Sequence, residues 1–191
     1  AGVAVTNDEA AADLIWDVGA GWVEHRIGGR VAEDIGASEI GQVLSKWAAL
    51  ALIERVALRD PFSIDILSGN QTHLRGERLT IVMSGGTKHY LTLFNLPPDG
   101  RVELLSPISS EEEVADWRGE NHTLQLRVAD PPYGAEHLVA ILTDDRPAAL
   151  QTALRQMSAS GDSTGLAALL MATLSDTEAQ AGILGIYTAA E

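Results

Sequence analysis

Tyr90-Leu91-Thr92-Leu93-Phe94-Asn95-Leu96 runs into Pro97-Pro98-Asp99-Gly100 and then into Arg101-Val102-Glu103-Leu104-Leu105. The first and third segments are rich in the aliphatic, aromatic and β-branched side chains that fit a pleated, half-buried surface. Between them, proline fixes φ, aspartate bonds its own backbone, and glycine accepts positive φ, so the four residues predict the turn of a β-hairpin. It is the clearest hairpin in the chain.

Upstream, Leu79-Thr80-Ile81-Val82-Met83 reads as a strand joined to the first by a hairpin turn at Ser84-Gly85-Gly86-Thr87. Phe62, Ile64 and Ile66 alternate with Ser63 and Asp65 as another strand, followed by a polar loop at Ser68-Gly69-Asn70-Gln71. Further back, Ile40, Val43, Leu44, Trp47, Leu50 and Ala51 recur at helical spacing. Ser38 is placed to cap that helix and Glu39 to meet its positive end. Pro61 predicts its stop near Arg59-Asp60. Leu14 to Val18 and Trp22 to Ile27 predict two short strands around Gly19-Ala20-Gly21, with a third after Gly28-Gly29. Residues 1–12 read as a flexible lead-in.

Downstream, Leu124, Leu126 and Val128 alternate with polar residues. Asp130-Pro131-Pro132-Tyr133-Gly134 then turns the chain into the apolar strand Glu136 to Leu142. A helix is expected from Asp144 or Asp145, with Pro147 in its first turn and Leu150, Leu154 and Met157 on one face. Gly161-Asp162-Ser163 breaks it and caps another helix through Leu166, Leu169, Leu170 and Leu174, before a last strand at Ile183 to Thr188. Eight to ten strands and about three helices without regular alternation predict an α+β fold, a mainly antiparallel β-sandwich-like core with helices packed on it. No repeat or long linker divides residues 13–191, which read as one domain.

The 191 residues include 13 basic and 27 acidic side chains, a formal charge of -14. A field of that sign repels phosphate backbones and anionic membrane surfaces, so nucleic-acid binding is not expected. The absence of cysteine removes disulfides, thiolate nucleophiles and cysteine-based metal sites. No span approaches the ~18 apolar residues of a membrane helix, so membrane insertion is not expected. The chain opens at Ala1-Gly2 rather than Met, as a mature protein or, in our reading, a piece of a longer one.

His25, His73, His89, His122 and His137 show no i, i+4 helical zinc spacing and no His-x-His, so neither a metal nor another cofactor is expected. Asp144-Asp145 after an apolar strand is read as helix capping, with a His137-carboxylate hydrolase kept as a minor alternative. Ser84-Gly85-Gly86-Thr87 has neither the Lys-Ser/Thr ending of a P-loop nor the frame of a nucleophile elbow. Trp16 and Trp47 fall at core-facing positions. Trp22 and Trp117, beside polar residues or glycine, and Tyr133 in the proline turn are the candidate exposed binding rings. The acidic run Glu111-Glu112-Glu113 reads as a solvated loop or helix start.

The stretch Tyr90 to Pro107, preceded by Gly76-Glu77-Arg78-Leu79-Thr80-Ile81-Val82 and followed by Glu136-His137-Leu138-Val139-Ala140-Ile141-Leu142, resembles a bacterial domain of unknown function found C-terminal to caspase-like peptidase domains, and sometimes beside kinase domains. The resemblance covers about residues 61–143. It implies an accessory module without catalytic residues of its own, because the peptidase's His and Cys lie in the preceding domain and this chain has no Cys. The implied partner is a protein, or the neighbouring peptidase domain of the same polypeptide. A periplasmic or exported location follows from the family association alone. An envelope ligand- or glycan-binding sandwich is the alternative function.

Overall fold

A computed structural model describes residues 6, 8–67, 72–107, 117–119, 121–128, 131–174 and 178–190. In it, eleven strands and three helices form three layers. The central layer is an eight-stranded sheet built from β1 (Leu14–Asp17), β2 (Trp22–His25), β3 (Gly29–Ala32), β5 (Thr72–Leu74), β7 (Tyr90–Leu96), β8 (Glu103–Ser106), β10 (Gly134–Thr143) and β11 (Ala179–Ala189). A three-stranded sheet of β4 (Ser63–Ile66), β6 (Arg78–Ser84) and β9 (His122–Arg127), in the order β4-β6-β9, covers one face. Helices α1 (Ile40–Arg59), α2 (Ala148–Ser160) and α3 (Leu166–Leu174) cover the other. All the ladders are antiparallel except β5 on β11.

Side-chain alternation in the central strands explains the layering, since successive residues point to opposite faces. On β7, Leu91 and Leu93 face the small sheet while Phe94 and Leu96 face the helices. On β10, Leu138, Ala140 and Leu142 join the sandwich core with Ile64, Leu79, Ile81 and Met83, while Val139 and Ile141 join the helical core with Ile53, Leu150, Leu154 and Leu170. Strand β10 pairs β11 over its full length and β7 over His137–Thr143. It is buried on both faces, and burying each Leu, Ile or Phe contributes about 1.5–3 kcal/mol. A third, smaller cluster of Val23, Val31, Ala32, Ile35 and Val43 seats the β2–β3 ribbon against the start of α1.

The Pro97–Gly100 hairpin turn forms as the sequence requires. The Gly100 amide donates to the Pro97 carbonyl at 3.0 Å, and Gly100 has φ +81°. A Cβ on Gly100 would lie 2.4 Å from the backbone of Gln42, so the turn presses directly on the first turn of α1. The returning strand begins at Glu103, two residues later than expected, opposite Asn95, and a register shift between Leu93 and Phe94 follows further along the pair.

Several expectations change. Strands β6 and β7 do not form a hairpin with each other. Ser84 to Thr87 is instead a corner that carries the chain from the small sheet to the central one. The corner is fixed by Thr87 N–H on Gln180 Oε1 at 2.7 Å and by Gly86, whose Cβ would meet the Trp117 carbonyl. Ser38 does not cap α1: its hydroxyl donates to the Glu39 carboxylate, and Gly36 O takes the Glu39 and Ile40 amides. Helix α2 starts at Ala148 with Pro147 as N-cap, so Asp144 and Asp145 cap nothing. His73, which the glycines around it would place in a loop, lies in β5. The lead-in contains a 3-10 turn at Glu9–Ala11, capped by Asp8. The polar loop at 68–71 and the run at 111–113 lie outside the described residues.

Replacing Gly100 with Ala adds left-handed backbone strain to an overlap with the backbone of α1. We expect Gly100→Ala to lose about 3 kcal/mol or more in urea unfolding. Gly29→Ala is the control, since Gly29 has φ +68° but open space around it. It should lose only about 1 kcal/mol. Equal losses would show that the close approach to α1 contributes nothing.

Candidate binding cleft

The sandwich does not close along its whole length. Three strands spaced about 4.8 Å apart cannot cover four central strands, β8, β7, β10 and β11, from edge to edge. The result is a cleft of about 130 Å³ whose apolar lining is Leu79, Ile81, Leu105, Leu126, Leu138, Leu184 and Ile186. Leu79, Ile81 and Leu138 are buried at its base, whereas Leu105, Leu126, Leu184 and Ile186 remain half-buried around it.

Asn95 interrupts the apolar row Leu91-Leu93-Asn95 on the cleft side of β7. Its register partners are Glu103 on β8 and Leu138 on β10, one pleat from Glu136. From there Asn95 Nδ2 donates to Glu103 Oε2 at 3.2 Å and to Glu136 Oε2 at 3.0 Å. One amide nitrogen thus gathers two carboxylates on the cleft wall. Asn95, Glu103 and Glu136 line the cleft together with Pro97, Pro132, Arg101 and Arg127. Arg101 Nε is held by Asp99 at 2.6 Å, and Arg127 is exposed on β9 opposite Arg78.

Behind this wall, on the helical face, lies Lys46, 1% exposed. Its Nζ donates to the carbonyls of Pro97 at 2.9 Å and Ala135 at 2.6 Å. Burial pushes the Lys46 ammonium down to about 7, against upward pulls from Glu136 and Asp99. Beside it, Trp47 stacks on His25 with centroids 4.6 Å apart and meets the edge of His137 at 5.3 Å. Burial holds His137 at about 3, reinforced by Lys46 and His25, so the ring is neutral at ordinary pH. Trp47 Nε1 and His137 Nδ1 are buried without a hydrogen-bond partner among the described residues.

The rings expected to bind do not line the cleft. Trp22 is half-buried in β2 with the Arg30 guanidinium 5.3 Å from its ring centroid. Trp117 is half-buried against the sandwich core with its ring 3.8 Å from that of His122. Tyr133 is half-buried next to Pro132, which does line the cleft. The three do not share a site. His137 and Asp144 are seven residues apart along one extended segment, a separation of roughly 20 Å, so no His-carboxylate pair forms there. Asp144 instead pairs with Lys88 at 2.8 Å, which lowers the carboxyl and raises the ammonium. Among the described residues no group of three His, Asp or Glu is placed to hold a metal ion.

Asn95, Glu103, Glu136 and Lys46 escaped the sequence reading, yet two signals were present. Asn95 is the polar residue on an otherwise apolar strand face, and Lys46 sits on the apolar helical stripe Val43-Lys46-Leu50-Ile53. That Glu103 and Glu136 meet at Asn95 depends on strand order and was not readable.

No protein-family model matches the chain, and no curated protein matches it. Among solved structures, it is similar to the sulfur carrier protein SoxY from Chlorobium limicola f thiosulfatophilum, at 9% identity and a TM-score of 0.35 over 74% of this chain and 98% of that one. It is also similar to the sporulation control protein Spo0M from Bacillus subtilis, at 14% identity and a TM-score of 0.30 over 68% of this chain and 50% of that one. The chain therefore spans half the length of Spo0M.

Between about 7 and the ordinary 10.5 of lysine, the native state holds fewer protons at Lys46 than the unfolded chain. Stability from this group therefore rises with pH across that window and is lost as pH falls back toward 7. Urea unfolding of the wild type and Lys46→Met at pH 7, 8 and 9 should show the wild type gaining on the variant by about 1 kcal/mol per pH unit. A difference that stays constant with pH would show that Lys46 titrates as an ordinary lysine.

Proposed function

We propose that the domain is a non-catalytic accessory module that binds a protein partner by receiving part of it in the cleft between the two sheets. The observation that carries this reading is the cleft itself: a concave apolar surface rimmed by a few convergent polar groups offers a partner's anchoring side chain a pocket to fill. The resemblance of residues 61–143 to the domain that follows caspase-like peptidases makes such a peptidase domain the first partner to test.

The test is copurification of the domain with a caspase-like peptidase domain from the same polypeptide or the same cell. It compares the wild type with Leu184→Trp, which fills the cleft at a half-buried position. Retention of the peptidase by the wild type, with about tenfold weaker retention by a folded Leu184→Trp, is the expected result. Equal retention by both would place the interaction elsewhere on the domain, and no retention by either would remove the accessory reading.

A further inference from the structure

Resting on the cleft as the binding site, we infer that its occupant is a cation on an aliphatic stem, the side chain of a lysine or arginine presented by the partner protein. Size comes first. A cavity of about 130 Å³ is well below the ~300–1,000 Å³ of sites for drug-sized ligands. It is close to the ~150 Å³ apolar cavity that accepts a single benzene. One side chain, or a molecule of that size, fits, and a drug-sized ligand or a folded element does not.

Charge comes second. Each of Glu103 and Glu136 receives one hydrogen bond from the same Asn95 nitrogen. An ionised carboxylate has about four acceptor positions, so most of the accepting capacity of both groups remains open. Their bonded oxygens are no farther apart than the sum of those two hydrogen-bond lengths, and two like charges at that range repel. A cation set between them relieves the repulsion and supplies the missing donors. No cation of the chain is paired with either carboxylate among the described residues: Arg101 gives its Nε–H to Asp99, and Lys46, although it feels the charge of Glu136, donates to two carbonyls on the other face of the sheet. Arg127 is the remaining positive group at the cleft, exposed on the opposite wall. A formal charge of -14 on the whole chain favours approach of a basic partner.

The probe is pentylammonium, compared with 1-pentanol and hexanoate, in amide chemical-shift titrations of the full chain at neutral pH. We expect pentylammonium to shift the amides of Leu138, Leu184 and Ile186 and to bind about tenfold more tightly than pentanol, with hexanoate weakest. In Glu103→Gln/Glu136→Gln, which conserves shape, the preference of ammonium over alcohol should collapse toward unity. Arg127→Ala should bind pentylammonium as tightly or more tightly. Equal binding of alcohol and ammonium by the wild type would overturn the cation assignment while leaving the cleft as a site, and silence from all three probes would overturn both. A preference that survives the double Gln substitution, or weaker binding in Arg127→Ala, would overturn the assignment of the cation to these carboxylates.

Discussion

One side chain, Lys46, holds together segments that the sequence keeps far apart. From the first half of α1 its nitrogen reaches the turn after β7 and the start of β10, bonding carbonyls 51 and 89 residues away. Burying an ammonium costs several kcal/mol unless it is well partnered, and here the direct partners are two neutral carbonyls. A neutral amine still carries two N–H groups, so both bonds persist when the proton leaves. The hydrogen-bonding role is therefore separable from the charge, and burial, with no carboxylate in direct contact to offset it, depresses the lysine toward neutrality. Together with the apolar packing of Leu50, Ile53 and Val56, this contact ties α1 to the central sheet and to the Pro97–Gly100 turn.

The two faces of the central sheet use polar residues differently. On the helical face, Gln151 is bonded from within the fold: its Nε2 donates to Thr92 Oγ1 at 3.1 Å inside the core, and its Oε1 accepts from Arg146 Nε. On the sandwich face, Asn95 spends its donors on two carboxylates that have no other hydrogen-bond partner among the described residues. The contrast arises from coverage. Three helices seal their side, whereas three short strands leave the opposite side open at the Asn95 end. A polar group under a sealed layer must be satisfied internally, while one at an open edge is free to meet a ligand.

Local chemistry made much of the fold legible. Gly100 and Pro97 specified their turn, the spacing of Val43, Trp47 and Leu50 specified α1, and Gly161, left-handed at φ +73°, closes α2 where a glycine break was expected. Pairing partners were not legible. A strand such as Leu79 to Met83 reads the same whether its neighbour is the next strand in sequence or one forty residues on, and the glycine-rich corner after it resembles a hairpin loop in composition. Capping was misread for a related reason: Ser38 and Asp144 have the right side chains, but Glu39 and Lys88 compete for them. Flanking polarity says little about the surroundings of a ring that lies along a sheet: Trp117 packs on His122 despite its polar neighbours. The cleft needed strand order as well as composition, since its acidic pair comes from β8 and β10 and its amide from β7.

Strand β11 follows both α2 and α3 in the chain, yet it forms the full-length flank of β10 and accepts β5 from more than a hundred residues earlier. The two cores on either side of the central sheet both draw on it, through Ala179 and Ala181 on one side and Leu184 and Ile186 on the other. As the ribosome extends the chain, every earlier strand emerges before the one that completes the sheet. The high sequence separation of these pairings places the entropic cost of loop closure ahead of its reward. Until Ala179–Ala189 is released, β10 presents an unpaired apolar edge, so the nascent domain passes through an interval in which its most hydrophobic strand is open to chaperones and to aggregation.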